Sequence, residues 1–350
     1  MISQYQKSQE LISKFDKFGS QISLQFQKNQ IHQTVFGGVF SILIYSSAIF
    51  FTYFFGKELW EKTSPITNTS EEPVFQPEKF EINAQTFSFA FGIQNLNWEH
   101  YIDPSIYQVK AFQKTSYKIF NKTTNQYEQV YKNTEIKLVR CKQEHFIIQG
   151  VDDYFKNLPF LNDLFCFDPD QQMHIEGDFS SDQFGVIEIY LGACDQEKSN
   201  IVCKDKEYIN KQLQKSFFAS YFTDKLIDPK NYQQPFKYIA KDLFWPISND
   251  MSKSIVLYMR NIYIESDNGL ITDNIQYLKD TVYSYQTEQV QSTKESENFF
   301  FLLIRFEKGK QSRYYRRYKK PQDILANIAG IVDALILLEL QSLCHQMNLI

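Results

Sequence analysis

The sequence predicts a membrane protein with an N-terminal transmembrane helix, a mainly β (α+β) ectodomain and a C-terminal apolar helix. Three observations predict this. Residues 34–55, TVFGGVFSILIYSSAIFFTYFF, carry no charge, and the first charge after them is Lys57. The middle of the chain is rich in Phe and Tyr and alternates at period two, as half-buried strands do. A second apolar run, Ile324–Leu343, lies near the C-terminal end. At about 1.5 Å per residue the first run reaches roughly 33 Å as a helix, close to the thickness of a bilayer's hydrocarbon core. The alternative is a buried helix of a soluble domain, but core helices usually keep a polar face, and this one has none.

Composition narrows the class. The net charge of −4 gives no global basic field, so nucleic acid is not an expected partner. Mean hydropathy is below zero despite the apolar runs, so most of the chain faces water. Gly and Pro are few, which excludes collagen-like and Pro-rich architectures.

Residues 1–33 read as a cytosolic segment. Leu11, Ile12, Phe15 and Phe18 recur at helical spacing before Gly19, and Ile22, Leu24 and Phe26 then alternate. No apolar core lies near Met1 and no small-residue cleavage site follows residue 55, so residues 34–55 read as an uncleaved signal-anchor. Lys7, Lys14, Lys17 and Lys28 outnumber Lys57 and Lys62, which places the chain after Phe55 outside the cytosol. Residues 56–77 read as a stalk, because Thr63–Pro77 is rich in Thr, Ser, Asn, Glu and Pro.

Residues 78–320 read as a cysteine-containing β-rich ectodomain, mainly antiparallel. Phe87, Phe89, Phe91 and Ile93 alternate with small residues, and Ile136 and Leu138 alternate before Cys141. Val186–Leu191, Ser254–Ile264 and Phe299–Phe306 are rich in β-branched and aromatic residues. One helix is expected near Asp205–Gln214, with Asp205 as N-cap and Ile209 and Leu213 on one face.

Cys141, Cys166, Cys194 and Cys203 all follow the first apolar run, and Cys344 lies in the tail. Four cysteines on one side of a membrane suit two disulfides in an oxidising compartment, the other reading being buried free thiols. Spacing alone does not fix connectivity. The short Cys194–Cys203 loop is the simplest closure, which leaves Cys141 with Cys166. Two glycosylation sequons, at Asn68 and Asn121, fall in the same region and agree with a non-cytosolic location.

Residues 305–320, RFEKGKQSRYYRRYKK, are strongly basic. Arg313–Lys320 is expected to contact lipid headgroups, the other reading being a solvated edge strand. Residues 321–350 read as a second transmembrane or interfacial helix and tail, starting at Pro321 and Asp323. Asp333 and Glu339 interrupt its apolar run and could line an ion pathway if it spans. Gly37, Ser41, Ala48 and Thr52 form one small-residue stripe at 100° per residue, and Ala326, Gly330 and Ala334 form another. The two stripes are expected to pack, within one chain or between chains.

The stretches FDKFGSQISLQFQKNQIHQTVFGGVFSI, CFDPD, MHIEGDFSS, the C-x8-C pair at Cys194 and Cys203, DPKNY, KDLFWPIS, YMRNIYIESDNG, LLIRFEK and RRYKKPQDILANIAGIVDAL occur in that order. Together they resemble an uncharacterised family of ciliate two-span transmembrane proteins. The resemblance implies a topology and no activity. This chain departs from it after about Leu338, where Glu339 and Gln341 break the apolar run.

Catalytic signatures do not rise above background. HExxH, GxSxG, GxGxxG, P-loop and CxxC patterns are absent, and no two of the five histidines stand three or four residues apart. Asp168-Pro169-Asp170 has the D-x-D form with which a luminal glycosyltransferase holds a metal and a nucleotide sugar, but Pro at its centre suits a turn. Asp152-Asp153 reads as a solvated loop. The expected function is recognition or organisation at the plasma membrane or a secretory-pathway membrane, with no enzyme activity and no cofactor or metal. The expected partners are the lipid bilayer, an extracellular or luminal protein or ligand, and further copies of the chain. The alternatives are a subunit of an oligomeric channel and a luminal metal-dependent glycosyltransferase.

Overall fold

The computed structural model describes residues 35–122, 125–248, 250–292 and 298–347. The segment 1–33 lies outside the described residues. The chain divides into a β unit, Glu58–Pro321, and a second unit formed by the residues on either side of it.

The β unit is built on two sheets. The larger runs in the order β1 (Ile66–Glu72), β16 (Gln311–Arg317), β13 (Met251–Asp267), β15 (Phe300–Phe306), β10 (Gln183–Ala193), β5 (Tyr107–Asn121) and β6 (Gln126–Ile136), with β14 (Ile275–Ser292) also paired to β13. The smaller runs β12 (Phe236–Pro246), β11 (Ser216–Ile227), β3 (Phe89–Asn95), β8 (Phe165–Phe167) and β7 (Leu138–Arg140), with β4 (His100–Tyr101) on β3. A two-stranded ribbon, β2 (Phe80–Ile82) with β9 (Met173–Ile175), adds to the core.

Period-two patterning explains the packing. Ile187, Ile189 and Leu191 of β10, Leu302 and Ile304 of β15, and Ile255 and Leu257 of β13 point into one core with Phe89, Phe91, Phe218 and Phe222 of the smaller sheet. Phe218 and Phe300 stack across the two sheets at 4.2 Å. Inner faces that interdigitate in this way define a β-sandwich. Most pairings are antiparallel, as the sequence predicts. Two are not: β15 and β16 both run parallel to β13, one after the other along the same edge.

β3 is buried on both faces rather than one. Its small residues lie beneath the segment between Cys141 and Cys166, which carries α2 (Asp152–Lys156) and places Phe146, Phe155 and Leu164 over Ala90. Gly92 permits this close approach. A Cβ at that position would stand 3.0 Å from the Leu164 Cδ2 and 3.3 Å from the Asp163 carbonyl. α3 (Lys206–Leu213) buries Ile209 and Leu213 as expected, with Asp205 at the N-cap position.

The predicted stalk needs correction. Residues 66–72 form β1, paired along their whole length with β16. A Thr- and Glu-rich segment looks like a linker in isolation. Here its acids meet basic partners from elsewhere in the chain, Glu71 with Arg260 and Lys310 and Glu72 with Arg313.

His100 is buried in the cover of the smaller sheet. It stacks on Phe160 at 4.0 Å, and its Nε2 lies 3.1 Å from the Tyr221 hydroxyl. Burial lowers its pKa to about 4. A folded value below the unfolded 6.5 means that the unfolded state binds more protons between the two. Stability should therefore be intact above pH 6.5 and fall as pH drops toward 4. The loss should reach roughly 3 kcal/mol at low pH, and His100→Phe should flatten that slope in denaturant titrations. An unchanged slope would show that His100 is not the titrating group.

The terminal helices follow from composition. α1 (Val35–Glu61) carries the uncharged run. α4 (Pro321–Met347) opens on proline, whose fixed φ and missing N–H suit a first helical turn. Its Pro321–Leu338 portion is long and apolar enough to cross a membrane.

Candidate functional site at the two chain exits

Residues 62–65 alone separate α1 from β1, and residues 318–320 alone separate β16 from α4. β1 and β16 pair antiparallel from Ile66 opposite Arg317 to Glu72 opposite Gln311. The chain therefore enters and leaves the β unit at adjacent points of one sheet. A cluster of charged and aromatic side chains ties this corner together.

Arg316 is 1% exposed although it is a cation. Its Nη1 donates to the Asn231 and Pro229 carbonyls at 2.6 and 3.3 Å, its Nη2 to the Tyr232 carbonyl at 3.0 Å, and its Nε to Ser266 Oγ. The planar fork thus holds the β11–β12 connection by its backbone. Tyr232, on that connection, meets the Tyr318 ring edge-on at 5.5 Å. The Lys62 ammonium lies 4.7 Å from the first ring and 5.5 Å from the second. This cation–π contact joins the residue after α1 to the residue after β16.

Lys320, the last residue before α4, is buried between Asp267 at the end of β13 and Asp273 of the β13–β14 connection. Its Nζ is 2.8 Å from Asp267 Oδ2 and also donates to Asp273. Asp267 is fully buried, and its Oδ1 accepts the N–H groups of Gly269 and Asn274 at 3.0 and 2.9 Å. Burial alone would raise the Asp267 carboxyl. The Lys320 ammonium and those two N–H groups outweigh it and hold the pKa at about 2. The same contacts raise Lys320. Both groups stay charged through the whole physiological range, so the tie does not loosen with pH there.

The headgroup reading of Arg313–Lys320 is corrected by this arrangement. β16 is neither a strip facing outward nor an edge strand: β1 lies on one side of it and β13 on the other. Arg313 sits between Glu72 and Glu265, Lys310 pairs with Glu71, and Arg316 and Lys320 are buried. Arg305 is also buried, with its guanidinium 4.1 Å from the Phe179 ring. A basic run looks free in sequence because its partners lie up to 241 positions away. Sequence reasoning missed Lys62, Tyr232, Asp267, Asp273 and Tyr318. The Asp-Asn-Gly at 267–269 is a hairpin signal and could have marked one corner.

The remaining predicted positions fall elsewhere. Cys141 is bonded to Cys166 and Cys194 to Cys203, the pairings that loop length suggested. Asn68 is exposed on β1. Asn121 ends β5 at a hairpin tip, its amide donating to Glu128 at 2.7 Å, and its sequon partner Thr123 lies outside the described residues. Asp168 is not a free metal ligand. It accepts Lys137 Nζ at 2.6 Å and the Asp170 N–H at 3.1 Å, which makes residues 168–170 an Asx turn. Asp152 and Asp153 open α2, and Asp152 pairs with Lys156 at 2.9 Å. Among the described residues no group of three or more His, Cys, Asp or Glu forms a metal cluster.

Ala326, Gly330 and Ala334 are exposed, and a Cβ added at Gly330 meets nothing within 4 Å. In α1, Ser41 and Ala48 are partly covered and Thr52 is exposed, donating its hydroxyl to the Ala48 carbonyl at 2.7 Å. Gly37 lies in α1, before the described side chains begin.

Residues 90–307, from β3 through β15, match the family described as "Uncharacterised 80 kDa protein N-terminal domain". The chain belongs to this family. The match spans well over half of the chain and ends before Arg316 and Lys320, so this 80 kDa protein N-terminal domain covers most of the sandwich and, of the exit cluster, Tyr232, Asp267 and Asp273 but not Lys62, Arg316, Tyr318 or Lys320. No curated protein matches the chain. Among solved structures it is similar to a proton-activated chloride channel determined by cryo-EM, at a TM-score of 0.29 and 10% identity, over 91% of this chain and 100% of that one. It is also similar to the crystal structure of Erv41p, at a TM-score of 0.26 and 9% identity, over 71% of this chain and 99% of that one. At those scores neither likeness bears on function.

Proposed function

We propose that the protein is an integral membrane protein whose β unit is a non-cytosolic recognition or organising ectodomain, held by an apolar helix at each end and without catalytic activity. One observation carries the reading. The strands by which the chain enters and leaves the sandwich are paired neighbours, and each continues within a few residues into a long apolar helix. Buried ties at that corner hold the entering and leaving strands together within the β unit. Both disulfides lie in the β unit, which supports an oxidising compartment for it. The motif that suggested a transferase is a turn tied to Lys137.

Topology tests the proposal. Expressed with microsomes, the chain should gain mass that glycosidase removes, and the β unit should resist added protease until detergent opens the vesicle. Asn121 should be modified more readily than Asn68, because Asn121 stands at a hairpin tip while Asn68 lies within a paired strand a few residues from α1. Asn121→Gln should remove the mobility shift. A β unit digested without detergent would refute the orientation.

A further inference from the structure

The two hairpin connections at the exit corner differ in chemistry. The β11–β12 connection, Asp228–Pro235, is polar, with sequence DPKNYQQP, and Arg316 holds it by its carbonyls. The β13–β14 connection, Asn268–Asn274, reads NGLITDN and carries two adjacent aliphatic side chains at its tip. Leu270 is 61% exposed and Ile271 is 70% exposed. The remainder of this hairpin is heavily constrained. Asp267 caps the turn from within by accepting from Gly269 and Asn274. A Cβ at Gly269 would stand 1.7 Å from the Thr272 carbonyl, so only glycine fits the turn. Lys320 bonds to Asp267 before the tip and to Asp273 after it, and the next residue, Pro321, begins α4.

We infer that the Leu270–Ile271 tip is a third membrane contact, inserted into the lipid interface beside the start of α4. The inference rests on the reading of α4 as a membrane helix. The ion pairs hold the tip-bearing connection against Lys320, the last residue before α4, so the tip belongs to the same corner of the β unit as the chain exit. Two aliphatic side chains held outward by a buried aspartate and an obligate glycine suit the acyl–headgroup boundary, which rewards apolar surface without demanding a spanning segment. The partner is the bilayer itself. The tip carries no basic side chain, so the contact needs no anionic lipid.

The test is lipid quenching of a site-specific label on the full chain reconstituted into phosphatidylcholine vesicles. In a Cys344→Ser background, NBD is placed at Leu270→Cys or Ile271→Cys. Leu337→Cys in α4 reports the membrane helix, and exposed Val202→Cys in the Cys194–Cys203 loop reports bulk water. Headgroup-nitroxide lipid should quench labels at 270 and 271 several-fold more than at 202, and their emission should be blue-shifted, with position 337 also lipid-exposed. If 337 is quenched while 270 and 271 behave like 202, the tip contact is wrong and the membrane helix stands. If 337 also behaves like 202, the membrane reading itself fails. A blue shift at 271 without lipid quenching would mean a protein contact and would overturn the inference.

Discussion

Replacing Arg316 with methionine should destabilise the β unit by about 3–5 kcal/mol, the largest effect expected of any single side chain at the exit corner. Methionine fills much of the same volume, so the loss would come from hydrogen bonding. The guanidinium is 1% exposed and serves three backbone carbonyls and the Ser266 hydroxyl. Each buried acceptor left without a donor costs about 1–3 kcal/mol, and removing one partner of a buried charged arrangement typically costs about 3–5 kcal/mol. Lysine should recover less than half of this, because one ammonium cannot reproduce the fork. Guanidinium unfolding followed by the buried Trp245 measures the effect. A local readout accompanies it: the Asp228–Pro235 connection, once released, should be cut by trypsin after Lys230 under native conditions. A loss below about 1 kcal/mol with unchanged cleavage would show that the connection is held by other means.

Removing the Cys141–Cys166 bridge should cost more than removing Cys194–Cys203. The first closes a loop with a sequence separation of 25 and the second one of 9. Loop-closure entropy alone predicts about 3.5 and about 2.7 kcal/mol. Burial widens the gap. Cys141 and Cys166 are essentially inaccessible and hold the segment that covers β3, whereas the second pair lies at the margin of the core. The double variant Cys141→Ala/Cys166→Ala should therefore lose about 3–5 kcal/mol and fail to leave the membrane system in which it folds. Cys194→Ala/Cys203→Ala should lose about 2–3 kcal/mol and still be exported. Comparing export yield with the denaturant midpoints of the two variants decides it, and the reverse order would sink the argument from loop length and burial.

Legibility in the sequence followed the range of each interaction. α3, β10, β13 and β15 were readable because each shows its own period and buries its own apolar face. The β5–β6 hairpin was not, since much of it faces solvent and Lys, Gln, Asn and Tyr leave no clean alternation. β1 looks like a stalk in the sequence because its partner strand lies some 240 residues downstream. The exit cluster was the least readable part. Arg316 bonds to backbone carbonyls, which every residue carries, so nothing in the sequence of residues 229–232 marks them as its partners. Basic residues in a run read as a free surface until their distant carboxylates are known.

The place of β15 and β16 inside the larger sheet sets a timetable. They are the last strands of the β unit to be synthesised, yet they lie between β13 on one side and β10 and β1 on the other. Ile66 cannot meet Arg317 until the whole intervening chain exists. At about 5–20 residues per second that is roughly 10–50 s of waiting. Throughout it the edges of β1, β10 and β13 are open to any extended chain nearby. Nascent copies on one polysome are the nearest such chains. Closure of the sheet then coincides with the emergence of α4, four residues beyond Arg317. The end of the edge hazard and the appearance of α4 thus fall at the same point of synthesis.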